Sequence, residues 1–493
     1  MVSNSDTINN EDDLPESIQS RLCEICYFRI WERNNFTSKV EDYFLSKKTE
    51  VGDEKPGKHI KTNPCCLCFG LLTLPLLEQS ILLIKQILNK DKYKQDLERK
   101  QCCLSFSIPP AIFIREAVLK VFIKDKYEGL LDFERKSAFI TIKESWRTCL
   151  EQLANDLKFD DNNPLRITVT ALYIDNNEEC KQLSHIPGTY FPNANKKSAG
   201  PEYIYSRASV LNAIGSISEE DLKKNLPFPP SIPQHFATLT ASGKHDSVFI
   251  AGRYNKYSRN LSQTPWTIDG VRKSDLSVDE LLSGPIKSVF RAEHHNFSSS
   301  GREDVDVRML GSGRPFIVEL IDPGLSDILF EKMRSIECDI NNSSLVKVRD
   351  LQIISKNEIK NLKEGEEEKK KTYKALCITK QVPAPEAIMK IQNSERLVLE
   401  QKTPIRVLHR RPLAIRKRAV ENIKLTEVPK ETQDFLMYEL EVTTQAGTYV
   451  KEFVHGDFGR TNPNLSDLLG IEMDIVALDV LNIEIDWPPA LNQ

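Results

Sequence analysis

The sequence has no apolar run long enough to cross a membrane. Its best stretch, Phe69 to Leu88, is interrupted by Pro75, Glu78, Gln79 and Lys85, whereas a helical span needs about 20 largely apolar residues. No basic residue precedes Arg21, and Asp6, Glu11, Asp12, Asp13 and Glu16 do, so no secretory leader is expected and an Arg-rich transit peptide is argued against. Gly52-x-x-x-x-Gly57-Lys58 is followed by His59 where a phosphate loop has serine or threonine, which speaks against ATP-dependent chemistry such as thiolation. Net charge is only −4, so any nucleic-acid surface must be a local patch. Without a secretion signal, the 11 cysteines are expected as thiols or metal ligands in a reducing compartment, not as a disulfide framework.

What is present suits a soluble chain of two or three domains, with 493 residues, 28% charged and 40% hydrophobic. Residues 1–15 read as a disordered acidic tail. Cys23-x-x-Cys26 and Cys65-x-x-Cys68 follow, with 38 residues between the pairs. Two thiolates two residues apart chelate one ion from a tight turn, so the four predict a structural Zn²⁺, with Cys66 as a competing ligand. Leu71–Leu88 and Lys143–Leu157 carry helical periodicity, the latter with Trp146, Leu150 and Leu153 on one face. Cys103–Ile108 suggests a strand, Pro110–Ile123 a helix, and Leu165–Tyr173 a β-branched strand. Prolines 227, 229, 230 and 233 place a domain boundary near 225–235.

Downstream, the buried strand Ser247–Gly252 runs into Arg253–Arg259, where three cations interleave with Tyr254 and Tyr257. That mixture suits phosphate contact and base stacking through Arg253, Tyr254, Lys256 and Arg259; a solvated basic turn is the alternative. Lys402–Arg418 holds seven basic residues, among them Arg410, Arg411, Arg416 and Arg418, and no acid lies between 401 and 420. RNA backbone is the natural partner of such a patch.

The loop Gly301-Arg302-Glu303-Asp304-Val305-Asp306-Val307-Arg308 follows Asn296, Phe297 and three serines and feeds the strand Pro315–Ile321. A carboxylate held between arginines can stay ionised and aimed; from these residues alone a surface turn of paired charges is the leading reading. The Gly-Arg-x-Asp core resembles the catalytic loop of pseudouridine synthases. The string Asn296–Arg308 resembles the archaeal and animal tRNA pseudouridine-54/55 synthases, as do Arg253–Asn260, Gln263–Trp266, Leu408–Leu413 and Gly447–Phe453.

The resemblance implies an α+β protein. It would have a zinc-binding α/β accessory domain with a THUMP-like RNA-binding part over 16–230. A catalytic domain would follow over 235–493, built on a mixed, mainly antiparallel sheet. Asp304 would act on the uridine, with Asp306 as the rival carboxylate. Tyr373, in Lys371-x-Tyr, would stack on the target uracil, or serve as a core aromatic. Lys451, standing where the family motif Gly-Thr-Tyr-Ile-Arg has arginine, would pair with Asp304 as a point charge. Arg302 would fill the space of the flipped base or grip phosphate. The implied reaction is an isomerisation of tRNA uridine at position 55, with 54 left open, without an organic cofactor. Other small structured RNAs are further implied substrates. A monomer in nucleus and cytoplasm is expected, with the mitochondrion left open. The alternative is an RNA-binding or processing factor that uses the same surface without catalysis.

Overall fold

The structure, a computed structural model, describes residues 16–50, 63–126, 139–191, 205–325, 330–362, 369–409, 411–429 and 435–491. The tail expected over 1–15 and Arg410 lie outside the described residues. The chain divides into two compact units, Met1–Lys244 and His245–Gln493.

The first unit is helical around a small sheet. Strands β1 (Gln101–Ser107), β2 (Lys158–Phe159), β3 (Leu165–Leu172) and β4 (Thr238–His245) lie in the order β2-β1-β3-β4, with β1 parallel to β2 and β3. Because β4 follows the proline-rich stretch and joins this sheet, the boundary expected at 225–235 falls inside the first unit. In β3, Leu165, Ile167, Val169 and Ala171 turn inward with the period of two that a half-covered strand requires. Helix Ile142–Leu153 begins where the Thr141 hydroxyl accepts the Glu144 N–H at 3.1 Å, satisfying one orphan donor of the first turn. Its Trp146 is fully buried, and the indole Nε1 donates to Ser80 Oγ at 3.2 Å. Ser80 sits on helix Leu74–Leu88, so the best apolar stretch of the sequence is a core helix. Among the described residues, no helix is long and apolar enough to cross a membrane. Phe69 stacks on Tyr173 and Phe106 on Trp146, all inside this core.

The second unit is built on one large mixed sheet. Its strands are β5 (Val248–Lys256), β8 (His294–Ser299), β9 (Arg308–Ile321), β10 (Val346–Ile354), β11 (Lys371–Thr379), β12 (Leu397–Lys402), β13 (Ile415–Val428), β14 (Leu436–Thr444), β15 (Thr461–Asn462) and β16 (Met473–Ile483). The two short strands β6 (Thr267–Ile268) and β7 (Val271–Arg272) form a separate hairpin. The large sheet runs β10-β5-β9-β16-β11-β14-β13-β12-β15, with β8 against β9; β9–β16 is its parallel pair, and the other pairings are antiparallel. β5 is bonded on both edges, by β10 and β9, and is buried along its whole length. Helices Val278–Phe290 and Phe330–Asn341 pack on this half of the sheet, and the short helix Val450–His455 packs on β16.

Candidate active site and metal centre

The charged loop Ser300–Val307 leaves the sheet where β9 changes partner. β9 pairs with β8 over Phe316–Ile321 but with β16 only at Arg308 and Met309. The loop joining β8 to β9 therefore lies in the gap between β8 and β16. Gly301 opens it at φ +87°, and a Cβ there would meet Arg314 and Lys371 at 3.0 Å, so this turn requires glycine.

From below, buried side chains hold the loop. Glu303 accepts the Tyr254 hydroxyl at 2.8 and 3.0 Å and Arg314 Nε at 2.8 Å. Arg314 also donates to Ser300 O at 2.7 Å, and Gln263 to Gly301 O at 3.0 Å. Lys256, fully buried, gives its ammonium to Leu261 O (2.8 Å), Asp304 O (3.1 Å) and Val305 O (2.9 Å). Three donors meet three carbonyls. Burial lowers the Lys256 pKa to about 8, with Glu303 and Asp306 pulling the other way. Arg259 donates to Asp306 O and Leu478 O, each at 2.9 Å, and to the Asp479 carboxylate at 2.6 Å.

This geometry corrects the assignment of Arg253, Tyr254, Lys256 and Arg259 to RNA contact. β5 continues through Lys256, so most of the apparent basic turn is a central strand whose side chains have no route to a phosphate. Arg253 is buried, with its guanidinium on the carbonyls of Ser312, Gly313, Ile485 and Trp487. Burial lowers its pKa to about 10, with Arg349 adding to the shift. Arg259 is half-buried and occupied by the loop itself.

On the outer side, a cavity of about 490 Å³ is lined by Arg302, Asp304, Tyr373, Arg406, Arg411 and Lys451, among others. It thus gathers the three residues expected to be catalytic, and two expected to touch RNA. Arg406 Nη1 donates to Asp304 Oδ2 at 2.7 Å, and Lys451 Nζ stands 3.8 Å from the same oxygen. The nearer cation is therefore Arg406, a residue that reads in the sequence only as one member of the basic run. Arg406 is itself held by Glu452, with Nε on Oε1 at 2.6 Å, and Glu452 is buried. Burial opposes the charge of Arg406, but Glu452 and Asp304 outweigh it and raise its pKa. Lys451 makes its closer bond to Asp306, at 2.6 Å. Burial pushes the Asp306 carboxyl up, and the Lys451 hydrogen bond and charge more than reverse this. Lys451 thus spans both carboxylates, while Arg406 belongs to Asp304 and Glu452.

The rest of Lys402–Arg418 is divided. Arg411 is exposed at the cavity rim. Arg416 and Arg418, two apart on β13, are half-buried; Arg416 donates to Thr403 Oγ1 and Arg418 to Lys417 O.

In the first unit, Cys23, Cys26, Cys65 and Cys68 are buried, and their sulfurs lie within 4.8 Å of one another. Cys23 precedes helix Glu24–Trp31, which carries Cys26 in its first turn. The Cys23–Cys68 separation is 3.7 Å, close to the edge of about 3.8 Å for a tetrahedron with 2.3 Å metal–sulfur bonds. The donor set fits a metal ion, and Cys66, though buried, stands outside the cluster.

Comparison with known proteins covers both units. The family model described as Pus10, C-terminal, matches residues 249–484, and that described as eukaryotic Pus10, N-terminal, matches residues 65–241. The human protein named tRNA pseudouridine synthase Pus10 is 40% identical over 441 residues, covering 88% of this chain and 81% of the relative. The protein of the same name from Thermofilum pendens is 40% identical over 243 residues, 48% of this chain and 52% of its own. Among solved structures, a Cbf5-Nop10-Gar1 complex aligns over 48% of each chain at 14% identity and a TM-score of 0.24, a likeness too low to carry an argument.

Proposed function

The chain belongs to the Pus10 family of tRNA pseudouridine synthases, and we propose that it isomerises uridine to pseudouridine in tRNA with Asp304 as the acting carboxylate. The observation that carries this reading is the Asp304 carboxylate in a cavity with Tyr373, bonded to Arg406 and flanked by Lys451. Arg406 and Lys451 fix the direction in which the carboxylate points, which a nucleophile at C1′ and a base for the 2′ proton both need. In the reaction the N1–C1′ bond breaks, the freed uracil turns, C5 joins C1′, and the C5 proton is exchanged for one on N1. Atoms balance within the substrate, so no water or cofactor is consumed. Tyr373 offers a ring face to the uracil once it leaves its stack, and exposed Arg302 stands ready for the adjoining phosphate. The target we propose is the TΨC arm, at position 55 and also 54, with the first unit as an RNA-binding accessory module of the THUMP kind. For its location we propose nucleus and cytoplasm, reducing compartments in which the thiols of the four-cysteine cluster would stay available to a metal.

The test is single-turnover conversion of an unmodified tRNA transcript at saturating enzyme, with pseudouridine mapped by position. Asp304→Asn should bind tRNA and form no product, because phosphate contacts carry most of the affinity. Asp306→Asn should be milder. Arg406→Ala should fall between them, since it removes the nearer cation and leaves Glu452 buried and unpaired. Turnover by Asp304→Asn within tenfold of the parent would refute the mechanism.

For the four-cysteine cluster we propose one structural Zn²⁺. When bound, it would crosslink the two CxxC turns and supply folding energy to the first unit. Elemental analysis should find about one zinc per chain, and Cys23→Ser should lose it; unchanged content would remove the assignment.

A further inference from the structure

We propose that Phe458 is a stacking platform for an unpaired base of the RNA substrate, beside the nucleotide held in the cavity. The proposal rests on the tRNA reading above. Phe458 is 95% exposed, more than any other large apolar side chain among the described residues, and it is the residue a folding core would least leave out. Among the described residues its ring neither stacks on another aromatic nor carries a cation. It also stands at φ +55°, in a run of four left-handed residues: Gly456 (+79°), Asp457 (+47°), Phe458 and Gly459 (+77°). Glycine adopts that region freely and aspartate tolerates it, but a bulky aromatic rarely does. Such strain persists where the surroundings over-determine the backbone, and it concentrates at functional sites.

The surroundings do over-determine it. Gly456 N donates to Glu452 O at 2.9 Å, Arg460 N to Asp457 O at 3.1 Å, and Thr461 N to Gly456 O at 3.1 Å. Buried Asp457 accepts the Ile405 N–H at 3.2 Å, and the Arg460 guanidinium donates to Thr403 O at 2.6 Å. The turn is thus tied on one side to helix Val450–His455, which carries Lys451 and Glu452. On the other it is tied to the segment that delivers Arg406 to Asp304. The backbone that carries the ring is fixed relative to the catalytic carboxylate, and the ring remains in solvent.

Its environment selects the partner. Lys402 ends β12, and its N–H donates to Arg460 O just before β15; Lys402–Arg418 contains no acid, and Glu400 on β12 lies 3.4 Å from Lys417. Glu452 and Asp457, the nearest acids in sequence, are buried and bonded within the protein. A solvent-facing ring on a turn tied to a basic stretch matches a base on a polyanionic strand, where stacking is sequence-tolerant and the groove follows the backbone.

The experiment uses the full chain, an unmodified tRNA transcript and three variants. Phe458→Ala should weaken tRNA binding by about 5- to 100-fold. Phe458→Tyr, which keeps the ring, should bind like the parent. Phe458→Gly should lose affinity like alanine while its melting temperature stays level or rises, because the strained φ is relieved. Parental affinity in Phe458→Ala would overturn stacking, and continued Asp304-dependent turnover by that variant would leave the proposed reaction standing. Equal loss in Phe458→Tyr, or a melting temperature lowered in Phe458→Gly, would make the residue a structural one and equally end the proposal.

Discussion

In Arg253–Arg259 the cations end mainly on backbone carbonyls; in Lys402–Arg418 they end mainly on side chains or in solvent. Arg253 and Lys256 between them bind seven carbonyl oxygens. In the second region Arg406 binds Asp304 and Glu452, Lys417 lies 3.4 Å from Glu400, and Lys402 and Arg411 are exposed. The difference comes from the strand each occupies. β5 is central, bonded on both edges and covered, so a cation there must find acceptors inside, and the irregular loop above it supplies them. The second region lies toward the far edge of the sheet, in a connection and the strand after it, where a long side chain can reach out. The same residue type thus serves as an internal clamp in one place and as a contact for an external polyanion in the other.

The sharpest way to break this comparison is at Lys256. Lys256→Met keeps the length and removes three donors, leaving three buried carbonyls unsatisfied. Two of those belong to Asp304 and Val305, so the loop should lose its seat and single-turnover rate should fall about 100-fold or more, the cost of a misplacement near 1 Å. Binding of tRNA should change by less than about threefold, because Lys256 has no access to phosphate. If binding falls while the rate at saturation holds, Lys256 is an RNA contact after all, and the two regions are alike.

A smaller effect on the same residue comes from pH. The folded pKa of about 8 lies below the unfolded lysine value of about 10.4. Between them the unfolded chain binds more protons, so the contribution of this group to stability rises as pH rises through that window. Catalysis should move the opposite way. The neutral amine has one donor fewer for three carbonyls, and turnover should decline above about pH 8 while the melting temperature does not. A decline shared by rate and melting temperature would point to general unfolding.

Much of the second unit can be read from the sequence because its signals are local. The apolar strands that open at Ser247 and Pro315 and the Gly-Arg-x-Asp loop each depend on near neighbours. The paired CxxC motifs likewise specify their cluster before folding brings Cys23 and Cys68 together. What the sequence conceals depends on long-range pairing. Whether Arg253 faces carbonyls or phosphate is decided by β9 and β10, which lie some 50 to 100 residues onward. Arg406 meets Asp304 across 102 residues, and nothing in Thr403–Leu408 distinguishes it from the arginines that remain at the surface. Glu303 looks like one more charge in a charged loop, yet it is the buried foot on which Tyr254 and Arg314 converge. The alternation Glu303 in, Asp304 out is the only local hint, and it becomes informative once the loop is known to sit over a covered sheet.

The smallest effect sharpens the comparison from the other side. Arg411, Arg416 and Arg418 changed together to alanine should weaken tRNA binding about tenfold to a hundredfold at physiological salt, and the slope of log K against log salt should fall by about 2 to 3 units, at roughly 0.7–0.9 for each phosphate no longer neutralised. Single-turnover rate at saturating enzyme should change by less than about tenfold, because Arg406, Lys451 and the buried clamp beneath Asp304 are untouched. Arg416 and Arg418 spend part of their hydrogen bonding on Thr403 and Lys417, so a slope change below one unit would mean that Arg411 alone faces the backbone. No change in slope at all would mean that this region, like β5, is turned toward the protein, and the contrast between the two would disappear.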